Sequence, residues 1–227
     1  MEIKPIGYIE TDFKEKFGIP RQSGRVPESA GRIVFYPEFR NPDAIRGIER
    51  FSHIWLIFDF TNAHRDKVSM TVRPPRLGGN TRVGVFASRS PFRPNSIGIS
   101  SVKLDAIEHT DSLGDVIMVS GIDLLDKTEI YDIKPYVPYA DCHTDAIGGY
   151  AEDMKDYRLD VIFPFSLLSL IDEKKRTALC KCLADDPRPS YQDDAERLYS
   201  MKFSHFDIHF RVAEGKLTVV AVEDTDK

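Results

Sequence analysis

The run HIWLIFDF at 53–60 is almost wholly apolar. A short apolar run of this composition, bounded by polar segments, is the pattern of a central strand buried on both faces. Comparable runs recur around it at close intervals. Residues 2–10, 32–36, 82–87, 97–106 and 115–122 each read as a strand bounded by Gly, Pro or Asp-Ser turns. No long helical period separates them, so the pattern predicts an antiparallel barrel or sandwich rather than a doubly wound sheet. No GxGxxG follows a strand, and a Rossmann nucleotide site is not supported. Asn41-Pro42-Asp43 offers an N-cap, a first-turn proline and an acidic residue, which predicts a short helix ending near Phe51.

The last third is written differently. Residues 141–156 turn small and acidic (CHTDAIGGYAEDMKD from Cys142) and read as a linker. It would join a mainly β domain, 1–140, to a small α+β domain, 157–227. In the second, 157–163 reads as a strand. Ser166 caps a helix whose apolar positions Leu167, Leu168, Leu170, Ile171, Ala178, Leu179, Cys182 and Leu183 follow a 3.6 period up to Pro187. DDPRPSY forms a proline-stiffened loop presenting Arg188 and Tyr191, and FDIHFRV with LTVVAV makes a closing hairpin. His205 and His209 are spaced like a metal pair but fall in or beside a strand, so they read as structural and no metal is expected. Cys142, Cys180 and Cys182 match neither a disulfide framework nor a zinc spacing, which suits a reducing cytoplasm. MEIKPIGYIE lacks the features of a secretion signal, and no apolar run approaches the ~18 residues of a membrane span.

Against a net charge of −5, the segment 69–102 stands apart: it holds Arg73, Arg76, Arg82, Arg89 and Arg93 and no lysine, aspartate or glutamate. Pro74, Pro75, Pro91 and Pro94 fix φ around them, and Gly78-Gly79 permits a sharp turn or a close approach to a ligand. Rigidly held guanidinium forks without local counter-charges fit an anionic partner, unless carboxylates arrive from elsewhere in the fold. An acidic chain meets a polyanion only through such a local surface. Residues 13–33 add Lys14, Lys16, Arg21 and Arg25 on a turn-rich stretch that is either a ligand rim or a solvated loop. On the following strand Asp132 is either a buried partner for an arginine or a strand-end counter-ion.

PRQ at 20–22, PPRLGG at 74–79, FASRSPFRPN at 86–95, DIKPY at 132–136 and DPRPSY at 186–191 resemble the TrmO (YaeB/TsaA-like) family of S-adenosylmethionine-dependent tRNA methyltransferases. The resemblance spans both expected domains. It implies a single-sheet antiparallel β-barrel with a small α+β C-terminal domain, a homodimer, and methylation of N6 of threonylcarbamoyladenosine 37 beside the anticodon, in the anticodon stem-loop. Carried over, the S-adenosyl-L-methionine contacts fall on Pro20, Arg21 and Gln22, on Thr61 and Asn62, on Arg89, Ser90 and Phe92, and on Leu124, Leu125, Asp126 and Lys127. Thr61-Asn62 stands where a His-Gln pair is often found. Asp126 and Asp132 are the candidate bases, with Arg93 and Asn95 beside the reacting group. Arg76, Lys134, Tyr136, Arg188 and Tyr191 make up the RNA-facing set. The same residues are compatible with a non-catalytic RNA-binding barrel, in which the arginines meet phosphate and Phe92 stacks on a base, or with an S-adenosylmethionine-dependent enzyme acting on a small molecule.

Overall fold

The computed structural model describes residues 2–74, 77, 81–189, 191–192 and 194–226, without the side chains of Asp153 and Met154. The apolar and β-branched runs of the first two thirds form strands β1 (Gly7–Thr11), β2 (Ala30–Phe35), β3 (His53–Asp59), β4 (Thr71–Val72), β5 (Val83–Gly84), β6 (Ile97–Thr110), β7 (Gly114–Ser120) and β8 (Glu129–Pro135). Six of them pair antiparallel in the order β1-β2-β7-β6-β3-β8, and β1 also pairs with β8, so the sheet closes on itself and exposes no edge. β4 and β5 form a separate two-stranded ladder.

β3 is central in the sense that matters for hydrogen bonding, lying between β6 and β8. It is not buried on both faces. Ile54, Leu56 and Phe58 point into the core, whereas Trp55 and Ile57 are half-buried on the other face. The pleat imposes this alternation, and closing the sheet leaves one face outside. Two other expectations change. The helix from Asn41 is a pair of single-turn 3-10 segments, Pro42–Ile45 and Ile48–Arg50, interrupted by Gly47 at φ 92. The strand at 82–87 shrinks to β5 followed by the 3-10 turn Val85–Ala87.

The chain then passes through helix α1 (Pro138–Asp141) and the 3-10 turn Gly149–Met154 to a second sheet. Strands β9 (Asp160–Ile162), β10 (Tyr199–Phe203), β11 (Phe206–Ala213) and β12 (Lys216–Asp224) lie in the order β10-β11-β12-β9, with β9 parallel to β12. Its helix is divided. α2 (Phe165–Leu168) contains Ser166 rather than being capped by it, and α3 (Glu173–Ala184) starts anew where the Asp172 carboxylate accepts from Lys174 N. α3 buries Ala178, Leu179, Cys182 and Leu183, and burial pushes the Cys182 thiol up. Among the described residues, no helix is long and apolar enough to cross a membrane.

The two sheets share one continuous core, and the segment between β1 and β2 joins them. Phe13 meets Phe203 edge-on, and Phe17 stacks on Tyr199 and Phe210. Gly18, at φ 93, lies so close to Met201 that a Cβ would sit 2.1 Å from its sulfur. The stretch that could have been a solvated loop is therefore packed on both sides, and its residues Arg21 and Gln22 are carried to a fixed place.

Candidate functional site

At one end of the closed sheet, β3 runs out at Asp59 and the loop after β7 crosses toward β8. Between them lies a pocket of about 320 Å³, lined by Lys16, Ile19, residues 58–63, Pro91 and residues 123–128. Its apolar wall comes from Ile19, Phe58, Phe60, Ala63, Leu124 and Leu125; its polar groups are Asp59, Asn62, Asp123, Asp126, Lys16 and Lys127. Gly98 faces Phe58 so closely that a Cβ would meet the ring at 2.3 Å, so the absence of a side chain there sets the position of that wall. The lining suits a cofactor with an apolar ring, a cationic centre and polar ends. S-adenosylmethionine meets that description, and Thr61, Asn62, Leu124, Leu125, Asp126 and Lys127, all expected at the cofactor, line this one pocket.

Pro91 and Ala63 also line a second and larger cavity, an open cleft of about 1200 Å³. Its cations are Arg21, Arg25, Arg65, Lys67, Arg73, Arg82, Arg89 and Arg93, and no described carboxylate lines it. Arg65 lies over the Phe92 ring at 3.8 Å, and Phe86 is 76% exposed beside it. The forks of the arginine segment rest on neutral groups: Arg89 donates to Gln22 Oε1 at 2.5 Å, Arg93 to Ser88 O at 3.1 Å, and Arg82 to Thr71 Oγ1 at 3.2 Å. Tyr150 of the inter-sheet segment donates its hydroxyl to Ala87 O, so this segment forms one wall of the cleft. Arg65, Arg82, Arg89 and Arg93, which pair with no described carboxylate, beside exposed aromatic rings match a nucleic-acid surface.

Arg21, Gln22, Arg89, Ser90, Phe92 and Arg93 are thus together in the cleft, while Pro20 is buried behind them. Other expected site residues stand elsewhere. Arg76 lies outside the described residues. Asn95 is exposed on the turn into β6, where its carbonyl accepts from Ile97 N, and it lines neither cavity. Asp132 and Lys134 on β8, and Tyr136 just after it, line neither cavity. Asp132 pairs with Lys134, so it is a strand counter-ion and not an arginine's partner, and Tyr136 packs against Trp55. Asp126 does line the pocket, but its oxygens accept from Thr11 N and Lys14 Nζ, each at 2.8 Å, which leaves it a poor base.

Arg188 is the largest correction. Its side chain is only 9% exposed and grips Asp186 with Nε and Nη2 at 2.9 and 3.1 Å, so the loop does not present it to RNA; Tyr191 remains exposed. Around it Arg25 and Arg158 pair with Asp185, and Arg21 donates to the carbonyls of Asp186 and Arg188. Burial lowers the tendency of Arg21 to hold its proton, and Asp185 and Asp186 oppose that effect.

Two carboxylates that sequence reasoning passed over lie in the pocket. Asp59 is 5% exposed, with His64 Nε2 at 2.8 and 2.9 Å from its oxygens. Burial and the bond to Asp59 push the Tyr131 phenol up. The lone carboxylate inside an apolar strand was a signal for it. Asp123 accepts from Ser100 Oγ at 2.7 Å, and burial pushes it up to about 6 against the hydrogen bonds and the nearby Arg89 that favour its charge. Nothing in the local sequence marks Asp123, because its environment comes from β6 and the 20–25 segment.

Comparison with known proteins places this arrangement. Residues 8–142 match the model of the tRNA-methyltransferase O N-terminal domain, and residues 157–225 that of the TrmO C-terminal domain. The Escherichia coli tRNA (adenine(37)-N6)-methyltransferase is 39% identical over 98% of this chain and 97% of its own. A Pseudomonas aeruginosa protein provisionally named as an S-adenosylmethionine-dependent methyltransferase, RcsF, is 41% identical over 92% of this chain and 91% of its own. The crystal structure of TrmO from Pseudomonas aeruginosa superposes with a TM-score of 0.80 at 35% identity, covering 99% of this chain and 97% of that one.

Proposed function

The chain belongs to the tRNA-methyltransferase O family, and from that premise we infer that it is an S-adenosylmethionine-dependent tRNA methyltransferase acting on N6 of adenosine 37. The observation that carries the reading is the junction at Ala63 and Pro91, where a half-apolar pocket opens beside a cleft whose charged lining residues, among those described, are all cations. A methyl donor in the first and an adenosine reaching in from RNA held in the second would meet there. S-adenosylmethionine supplies an electrophilic methyl group. The residues would bind and aim: Phe58, Phe60, Leu124 and Leu125 cover the adenine, the carboxylates of Asp59 and Asp126 face the cationic end, and the Arg89 fork takes the methionine carboxylate. Methyl transfer to an amide-like nitrogen asks mainly for such positioning.

The finer assignment is that the adenosine carries a threonylcarbamoyl group, whose carboxylate Arg93 would hold, and that the anticodon stem-loop lies along the cleft through Arg65, Lys67, Arg73 and Arg82. In this reading residues 1–140 are a cofactor-binding β-barrel, 141–156 a linker and 157–227 an α+β domain bracing the barrel. The enzyme works as a cytoplasmic homodimer with the arginine segment near the two-fold interface. A thermal-shift titration tests the cofactor: at ligand near 100 Kd stabilisation should be about 2.7 kcal/mol, and no shift at millimolar S-adenosylmethionine favours a non-catalytic RNA-binding protein. Methylation assayed on tRNA with and without the threonylcarbamoyl group tests the substrate, since equal rates would remove Arg93 from that role. Light scattering at micromolar protein tests the dimer, which a monomer mass would exclude.

A further inference from the structure

We propose that Asp123 is the proton acceptor of the methyl transfer, held for that task by Ser100. The inference rests on the functional reading above and goes beyond it by naming the group that takes the N6 proton.

Three carboxylates line the pocket, and two are committed. Asp126 is held by Thr11 N and Lys14, and Asp59 has its two oxygens on His64. Asp123 forms no ion pair with a described residue; its partners are neutral donors, Ser100 Oγ at 2.7 Å and the main-chain amide of Ser23. It sits among the residues that reach Pro91, the wall shared with the arginine cleft. The charged groups around it are Arg89 from the arginine segment, Lys16 from the segment after β1, Asp59 from the end of β3, and Asp126 and Lys127 on its own loop. Lys127 is spent on Glu10, and Arg21 and Arg25 on the main chain and side chains of residues 185–188. Arg89 is the nearby cation that favours the charge of Asp123, and burial opposes it. The balance leaves a carboxylate that titrates near 6 and is ionised yet basic at neutral pH, as a general base should be.

The step balances simply. The N6 electron pair forms the new bond to the methyl carbon, and the pair of the methyl–sulfur bond stays on sulfur, giving S-adenosylhomocysteine. The N6 proton passes to Asp123, which releases it to water after the products leave. Ser100 is a positioning residue: its hydroxyl stabilises the ionised carboxylate and fixes its rotamer.

The test is single-turnover methylation of tRNA between pH 5 and 9 by the wild type, Asp123→Asn and Ser100→Ala. It is paired with calorimetric binding of S-adenosylhomocysteine and a 13C NMR titration of the Asp123 carboxyl. Wild-type rate should fall as pH drops through about 6, in step with the NMR titration. Asp123→Asn should be slower by about 10²–10⁴-fold with that acid limb gone, while binding the cofactor product within about threefold. Ser100→Ala, which carries the test should Asp123→Asn fail to fold, should move the limb to higher pH because a donor to the charged form is lost. Wild-type rate in Asp123→Asn, a persisting acid limb, an unmoved limb in Ser100→Ala, or a tenfold loss of S-adenosylhomocysteine affinity would each overturn the proposal while leaving the methyltransferase reading intact. Absence of methylation by the wild type would overturn both.

Discussion

Two clusters of arginine lie within one protein and do opposite things. At the junction of the two sheets Arg25 and Arg158 meet Asp185, Arg188 grips Asp186, and Arg21 caps carbonyls of the same loop. In the cleft, Arg65, Arg73, Arg82, Arg89 and Arg93 pair with no described carboxylate, and Arg65, Arg82, Arg89 and Arg93 rest on a ring, a hydroxyl, a glutamine and a carbonyl in turn. The residue type is the same, and what differs is where the negative charge comes from. The first cluster is neutralised by the protein and stiffens it; the second keeps its charge for a ligand. The two are coupled, because Gln22, next to the anchored Arg21, accepts the hydrogen bond of Arg89.

Removing a carboxylate from the first cluster gives the largest expected effect. Asp185→Asn leaves Arg25 and Arg158 uncompensated at a buried site, which costs about 3–5 kcal/mol. Arg89→Ala, on the exposed side of the comparison, should stay within about 0.5 kcal/mol of wild type. Urea unfolding of both variants decides it, and equal losses would erase the distinction between the clusters.

The same substitution made in the pocket should act with opposite sign. Asp123 titrates near 6 in the fold against an ordinary 3.8. A raised carboxyl value means that stability is fully present below the unfolded value and is lost as pH rises through the folded one. The wild type should therefore forfeit about 3 kcal/mol between pH 3 and pH 7 on this account, and Asp123→Asn should recover part of it. The variant should be more stable than wild type at pH 8 and equal to it at pH 3. Thermal melts at the two pH values read this directly, and a variant less stable at pH 8 would mean that Asp123 is paired after all. A group that destabilises its own fold is the mark of a site rather than of scaffolding.

The smallest effect separates the clusters on RNA. Arg73→Ala or Arg82→Ala should each lower the slope of log affinity against log salt by about 0.7–0.9 if each meets one phosphate. Arg188→Ala should leave that slope unchanged, since its fork is already filled by Asp186. Filter binding across a salt series distinguishes them, and a changed slope in Arg188→Ala would return this residue to the RNA surface.

Much of the fold was legible because it depends on local pattern. HIWLIFDF had to be a strand, and closely spaced turns with no helical period had to give antiparallel pairing. The family resemblance drew attention to 61–62 and 124–127, and both stretches line the one pocket. The missed features have a common cause. Whether Arg188 is free depends on Asp186 being at φ 51, which turns its carboxylate back onto the guanidinium two residues on. Whether Asp126 or Asp123 is the available carboxylate depends on Thr11, Lys14 and Ser100, which are remote in the chain. The single long helix failed because Asp172 caps a new start within an apolar period that continues across the break.

What the amino-acid order determined alone was the identity of the strands, the cation-rich composition of 69–102 and the motifs that mark its family, because periodicity, turn chemistry and residue type are local properties. The tertiary structure decided which arginines are spent and which are open, and which pocket carboxylate is held, among the described residues, by neutral donors. Charge pairing falls steeply with distance and is strengthened by burial, and both are settled only when segments far apart in the chain are brought together.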